Sequence, residues 1–401
     1  MSPRRWSLTA HITDEDHRVT TMELLFDVVY VYAFIQVTSW IASEHSWRAV
    51  AEGLVVLAVL WWVWIAWTWL GNVMRADRGL PLAGFIIAMV AVFGIALTIR
   101  GIWEADGGSF APMAFAAFYV VIRVVHGAVY LWGAREDRKL RRQIMLTTAA
   151  WLPAALLLFV GALLPPDQRL WWWAGTVALD VVATWILSVR GPGWRVQSGS
   201  HFAERFDLLV ILALGESVLA VGIAAAKIDP TPELVALGLL GVLVAVALWW
   251  PYFKDVGPSL EEALEEAEPR RKADIARDSY TYLHLPLLMG IILVAAGNEE
   301  AVIALENEEA SEAAALLISA GAALFAATAA VLMRLAGATW HWLAGSAAFF
   351  ALGTLWLPLL DPTVAVAAAV VVLAFVGWLT PATRHREPVA VEADAHGEGA
   401  A

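Results

Sequence analysis

Stretches of about twenty residues with almost no charge recur along the whole chain, and this recurrence limits the fold more than any other feature. At about 1.5 Å rise per residue, one such stretch crosses the ~30 Å hydrocarbon core of a bilayer as a helix. About twelve can be placed on that length criterion. They cover 21–42, 50–72, 81–100, 110–133, 143–164, 170–189, 202–226, 233–253, 280–297, 311–333, 339–358 and 362–380. Composition agrees, with 60% hydrophobic and 16% charged residues and a mean hydropathy of +0.67; soluble domains carry about a quarter charged residues. A chain in lipid must satisfy its own backbone hydrogen bonds, so the expected class is an all-α polytopic membrane protein. With no cysteine, disulfide frameworks, thiolate nucleophiles and Cys-held metals are excluded. A net charge of −12 speaks against nucleic acid as a partner.

Residues 1–20 are polar, and the first span holds Glu23 and Asp27, so the start does not resemble a cleavable signal peptide. With the N-terminus inside, only Arg48, Arg100, Arg169 and Lys227 fall outside, and Arg123 and Arg205 lie within spans. The other Lys and Arg fall on the cytoplasmic side, as the positive-inside rule requires, so the expected topology is N-in/C-in. The expected organisation is a cytoplasmic segment (1–20), a first six-helix half (21–190) and the start of a second half (191–253). A cytoplasmic loop (254–279), four more helices (280–380) and a disordered cytoplasmic tail (381–401) follow. In the loop, Ser259 and Glu262 have capping-box spacing ahead of a run that Pro269 stops, which predicts one short helix. Residues 299–312 hold six Glu and no base, and are expected to form an acidic outer loop.

An internal repeat is visible at a constant offset. Phe26, Asp27, Ala33 and Gln36 align with Phe206, Asp207, Ala213 and Glu216, each 180 residues later. The Trp-rich second span (Trp61, Trp62, Trp64, Trp67, Trp69) corresponds to an eighth span ending in Trp249 and Trp250. Six spans per unit place both units in the same orientation, which predicts two parallel six-helix repeats, as in several secondary transporters.

Ionisable groups inside hydrocarbon cost several kcal/mol each, and here they gather in few spans. Glu23, Asp27 and Gln36 lie in the first, Arg123 and His126 in the fourth, Asp180 in the sixth, and His201, Glu204, Arg205, Asp207 and Glu216 in the seventh; His284 begins the ninth. At about 100° per residue, Asp27 and Gln36 face opposite ways, and so do Asp207 and Glu216. A helix polar on two sides must be surrounded by protein or wet space, so spans one and seven should be central. Gly215 and Gly222 beside Glu216 suggest close packing or a local break. Structural readings stand beside these functional ones. Glu204 and Arg205 could form an ion pair or reach the headgroups, and His126 could be a satisfied interior histidine. His201 and Glu204 have the spacing of a helical metal pair, a weak signal alone. The Trp residues suit an interfacial belt, core packing or a cation-binding wall. No phosphate-binding loop, serine-hydrolase elbow or zincin motif is present.

Three segments resemble the bacterial low temperature requirement A (LtrA) family: MELLFDVVYVYAFIQVT from Met22, HFAERFDLLVILALGESVLAVG from His201 and RDSYTYLHLPLLMGIILVAAG from Arg277. The Trp-rich span running into WTWLGNVMRADRG and the Arg123/His126 span agree in kind. The resemblance covers about residue 15 to 380. It implies a multi-pass protein of the bacterial cytoplasmic (inner) membrane, from a family named for growth in the cold. It carries over Glu23, Phe26, Asp27, Gln36, His201, Glu204, Arg205, Glu216, Ser217, Tyr282, His284 and Pro286, and it implies a small residue where this chain has Asp207.

The preferred functional expectation is a secondary transporter of a small solute bound between spans one and seven. Glu216 would couple to a proton or cation, Arg205 and Arg123 would be counter-ions or anion-binding groups, and Asp27, Gln36 and His284 would line the pocket. The remaining candidates are Glu23, His201, Glu204 and Asp207. No catalytic residue, metal set or cofactor is assigned; the expected partners are the bilayer and one small-molecule or ion ligand, with homo-oligomerisation left open. Two other readings stay open: a non-catalytic sensor or scaffold, and a metal-dependent intramembrane enzyme acting on lipid through His201, Glu204, Asp27 and His284.

Overall fold

The computed structural model describes residues 18–44, 46–104, 108–190, 196–307, 312–356 and residue 372. The last expected span except residue 372, most of the N-terminal segment and the tail lie outside the described residues. Among the described residues the fold is helical: α1 (Thr21–Ser43), α2 (Trp47–Val73), α3 (Gly79–Thr98), α4 (Phe110–Gly133), α5 (Arg138–Ala162), α6 (Pro166–Arg190), α7 (Gly199–Ala225), α8 (Pro232–Pro251), α9 (Gly257–Glu265), α10 (Pro269–Ile275), α11 (His284–Glu306), α12 (Glu312–Leu335) and α13 (His341–Trp356). Two π-helical segments, Tyr252–Val256 and Ala276–Leu283, join α8 to α9 and α10 to α11. Ten of the resulting continuous helices are long and apolar enough to cross a bilayer; eight match expected spans within a few residues, whereas the eighth and ninth run well past their expected ends, to Pro232–Glu265 and Pro269–Glu306.

Side-chain caps set several helix starts. Thr20 accepts from Glu23 N–H while the Glu23 carboxylate accepts from Thr20 N–H, a complete capping box at α1. Ser46, Asp137, Ser198 and Thr231 cap α2, α5, α7 and α8. At the C-terminus of α5, the Arg169 guanidinium donates to the carbonyls of Ile102, Gly161, Ala162 and Leu164. Ile102 lies in the turn after α3; the other three are at the end of α5, where intrahelical donors run out, although Gly161 also accepts from Leu164 N–H.

Where a connector with one short helix was expected, the chain stays helical from Pro232 to Glu265. Ser259 is buried inside α9 and is not its N-cap. The cause lies upstream: Pro251 has no N–H, and the helix takes up the missing bond by widening to π geometry instead of stopping. Pro286 acts similarly on the second π segment. It has no N–H for the carbonyl five residues earlier, Thr281, and the Trp61 indole N–H donates to that carbonyl at 2.9 Å.

The helices α1, α7 and α11 touch one another pairwise and form the centre, with α2, α3, α8 and α12 around them. Burial ranks them: 89% of the apolar window of Pro269–Glu306 is buried, against 17% for α6, which lies at the edge. Edge helices carry exposed Leu156, Leu239 and Val90, as lipid-facing surfaces should. Without a hydrophobic force between helices in lipid, packing depends on small residues. A Cβ on Gly290 would lie 2.8 Å from the Gly321 carbonyl oxygen, so α11 and α12 meet backbone to backbone. Gly215 and Gly222 do not serve this role; a Cβ at either would meet nothing within 4 Å.

The acidic run divides. The helix continues to Glu306, so Asn298, Glu299 and Glu300 are buried protein interior and not outer loop. The aligned Trp groups also differ: Trp61, Trp62, Trp64, Trp67 and Trp69 are buried, whereas Trp249 and Trp250 are exposed. Of the three Trp opening α6, Trp171 and Trp172 are exposed as a belt requires, but Trp173 is buried and stacks on Phe115.

Candidate functional site

Three polar layers follow one another along α7. The first joins α1, α2 and α7. Arg205 binds Asp27 in a fork, 2.5 Å from Nη1 to Oδ2 and 2.9 Å from Nη2 to Oδ1, and the Trp64 indole N–H donates to the same Oδ1 at 2.8 Å. The Trp64 ring also lies beneath the guanidinium, 5.4 Å from its centre. Glu23 accepts from Thr20 and stands 3.2 Å from His201 Nε2 and 3.9 Å from Arg205 Nε. Asn72 donates through its amide to His201 Nδ1 (3.3 Å) and to the Ser198 carbonyl (2.7 Å). Because an amide nitrogen only donates, Nδ1 of His201 accepts and Nε2 carries the proton toward Glu23. Gly71 permits this approach: a Cβ there would run into the Glu23 carboxylate. Glu23, Asp27, His201 and Arg205 are all fully buried, so two acids, a guanidinium and an imidazole form a closed lock between α1 and α7.

The second layer connects α7 to both π segments. The Tyr252 hydroxyl lies 3.1 Å from Asp207 Oδ1 and 3.0 Å from His284 Nε2, while His284 Nδ1 donates to the Ser279 carbonyl at 2.9 Å. With Nδ1 protonated, Nε2 of a neutral His284 is an acceptor, and so is an ionised Asp207. Tyr252 has one hydroxyl proton for two acceptors. Satisfying both contacts needs one further proton, on the Asp207 carboxyl or as a His284 imidazolium. Without that proton, one of the two contacts is left without a donor.

The third layer is deepest, about 14 Å along α7 from Asp207. Glu216 is fully buried, and neither carboxylate oxygen has a hydrogen-bond partner. It faces Thr38 on α1 and the charge of Glu299 on α11. The Thr38 hydroxyl is likewise unpartnered, and Ser39 donates to Glu299 at 2.9 Å. Asn298, a residue earlier on α11, has both amide atoms buried and unpartnered. Leaving a buried polar group unsatisfied costs about 1–3 kcal/mol, more if charged. Asp255 in the first π segment is the other described carboxylate with both oxygens buried and unpartnered.

The expected site residues thus separate. Glu23, Asp27, His201 and Arg205 come together; Asp207 and His284 meet through Tyr252; Glu216 stands apart. Glu204, one turn from His201, accepts from Val19 N–H at 3.2 Å and does not converge with it. Gln36 is half-buried on α1 and makes none of these contacts. Arg123 lies in another part of the bundle, 3.8 Å from Asp180 and between the rings of Tyr119 and Trp151. Outside the spans, Asp77 sits in the turn after α2, where Arg75 donates to it at 3.0 Å and holds its carboxyl below the usual range. Trp64 was named from sequence as part of a possible cation-binding wall, while its indole N–H bond to Asp27, and Tyr252, Thr38 and Asn298 altogether, were missed. Tyr and Trp give no hint of which polar tip is used, and Asn298 borders an acidic run that reads as loop.

Comparison with known proteins agrees with this architecture. The family described as Bacterial low temperature requirement A protein (LtrA) matches residues 18–377. An uncharacterized protein of Rhizobium meliloti (strain 1021) is 28% identical over 295 residues, 69% of this chain and 68% of the relative. No solved structure matches. With its many apolar helices and a family match over nearly its whole length, the chain is a polytopic membrane protein that belongs to the bacterial LtrA family.

Proposed function

We propose that this protein is a secondary transporter of the bacterial inner membrane, with its N-terminus in the cytoplasm and Glu216 as the carboxylate that couples solute movement to a proton or cation. The observation that carries this reading is the Glu216 carboxylate itself: mid-helix, fully buried, at the meeting of α1, α7 and α11, with no hydrogen-bond partner on either oxygen. An ionised group so placed is expensive, and ionisable residues kept within membrane spans mark ion and proton pathways. The Asp207–Tyr252–His284 triad supports the reading by placing beside α7 two groups, Asp207 and His284, either of which can take up a proton, at the level where the π segments interrupt α-helical geometry; such segments often occur at functional sites. The 180-residue repeat fits as well, because Phe26, Ala33, Phe206 and Ala213 are all fully buried on the two central helices. Within this reading the Glu23–His201–Arg205–Asp27 lock holds α1 to α7 and closes the path between them, and Glu204 ties the chain ahead of α1.

Transport can be tested in proteoliposomes holding a pH-sensitive dye and given gradients of amines, organic anions and lipid precursors in turn. A solute that drives acidification or alkalinisation in wild type, with the response lost in Glu216→Gln, supports the assignment. A solute-driven response that is unchanged in Glu216→Gln contradicts the coupling role. The enclosure of the lock favours one second reading, a scaffold or sensor whose buried charges only hold helices together. On that reading Glu216→Gln alters melting and no solute moves protons.

A further inference from the structure

A cavity separate from all three layers lies between α2, α4, α5, α6 and the second π segment. Its volume is about 80 Å³. Since one water needs roughly 10–15 Å³ of such space, it has room for a small organic ligand and not merely for a single water. Trp62, Trp69, Trp151, Tyr130 and Tyr282 give it aromatic walls. Arg123 lines it and is only 7% exposed. Its Nε has no hydrogen-bond partner, and its one acidic neighbour, Asp180, is 3.8 Å from Nη2. The Tyr119 and Trp151 rings hold the guanidinium at 5.8 and 5.4 Å, fixing the plane of the fork.

Several other polar groups on the wall are occupied. His126 Nε2 donates to the Ala66 carbonyl, Thr147 and Ser188 bond back to their own helices, and Thr281 accepts from Trp69. Arg277 at the rim is paired with Asp274 and Asp278. A planar cation with a vacant edge, fixed by aromatic rings, suits a carboxylate, which takes two parallel N–H donors. The same guanidinium repels a cationic ligand from an otherwise favourable aromatic cage.

We infer that this cavity binds a small organic monoanion, a carboxylate with an apolar body of a few carbons or one ring, held by Arg123. The ligand enters from solution. Every lining element contributes from the half of its span nearest the cytoplasm in the proposed topology, so the cavity is an inward-facing site. Binding is independent of the transport reading; only the ligand's role as cargo rests on it.

The test is equilibrium binding of radiolabelled benzoate to the protein in phosphatidylcholine nanodiscs, with butyrate, butyramide and inorganic phosphate as competitors. Saturable binding displaced by butyrate and not by the neutral isostere butyramide is expected. Because Arg123→Gln alone would strand Asp180, the informative variant is Arg123→Gln/Asp180→Asn, which removes both charges. It should weaken benzoate about tenfold to a hundredfold, the value of a charge-assisted pair. Arg123→Lys, which keeps the charge and loses the fork, should fall between. Gly215→Ala, whose Cβ would meet nothing within 4 Å, should bind as wild type.

Absence of saturable binding, equal displacement by butyramide, or unchanged affinity in both Arg123 variants would overturn the proposal. So would displacement by phosphatidic acid in the disc with none by butyrate, which would make this a lipid site. Intact benzoate binding in a protein that moves no protons removes the transport reading alone. Proton movement without benzoate binding removes this inference alone.

Discussion

Replacing Asp27 with Asn tests whether the α1–α7 lock is an ion pair in substance. The side chains are nearly isosteric, so no cavity term enters. What changes is charge and donor count. Asp27 accepts two bonds from Arg205 and one from Trp64, whereas Asn has one acceptor oxygen and turns an amide N–H₂ toward the remaining donors. Of its acidic partners Arg205 keeps only Glu23, at 3.9 Å. Breaking a buried pair by removing one partner costs about 3–5 kcal/mol, and the residual Glu23 contact places this case near the lower end, about 3 kcal/mol. Neutral interhelical hydrogen bonds in membranes average only about 0.6 kcal/mol, so the two pictures are well separated. The double variant Asp27→Asn/Arg205→Gln removes the stranded cation and should be less destabilised than Asp27→Asn alone. Unfolding by sodium dodecyl sulfate in mixed micelles, followed by tryptophan fluorescence, gives the free energies of the cycle. A loss below about 1 kcal/mol for Asp27→Asn, or a double variant whose cost is the sum of the two single ones, would refute an ion-pair lock.

Three further outcomes follow from the structure. Gly290→Ala should destabilise by about 1–3 kcal/mol, because its Cβ meets the α12 backbone; Gly215→Ala, which meets nothing within 4 Å, should be near neutral in the same assay. Asp77 is held below its ordinary value of 3.8 by Arg75, so its contribution is present above that pH and disappears as pH falls through the lowered folded-state value. Asp77→Asn should therefore cost less than about 1 kcal/mol at pH 7, a difference that vanishes when unfolding is compared in strong acid. Tyr252→Phe removes the hydroxyl between Asp207 and His284 and should slow proton exchange with solution, seen as a slower dye response to a pH step at unchanged melting temperature.

Much of the architecture was legible because lipid imposes it. Run length located the first ten spans, and opposed polar faces on spans one and seven foretold their central place. The lock was half visible: Glu23, Asp27, His201 and Arg205 were singled out, but their assembly with Trp64 depends on how α2 packs, which no one-dimensional pattern carries. The π segments were hidden because Pro251 and Pro286 read as boundaries, and only surrounding donors such as Trp61 decide whether a helix widens or ends there. Glu299 and Glu300 were hidden by their neighbours, since an unbroken acidic run gives no sign of which carboxylates the helix turns inward. Arg123 was seen as a membrane-embedded charge, yet its cavity is built from five elements far apart in sequence.

The most direct test of the central claim needs no knowledge of the solute. Proton binding to a carboxylate deep in the membrane displaces charge, so a rapid acid step on proteoliposomes adsorbed to a solid-supported electrode should evoke a transient current. The account predicts this current in wild type and its loss in Glu216→Gln at a melting temperature within a few degrees of wild type. A current of undiminished size in Glu216→Gln, or none in a folded wild type, would contradict it.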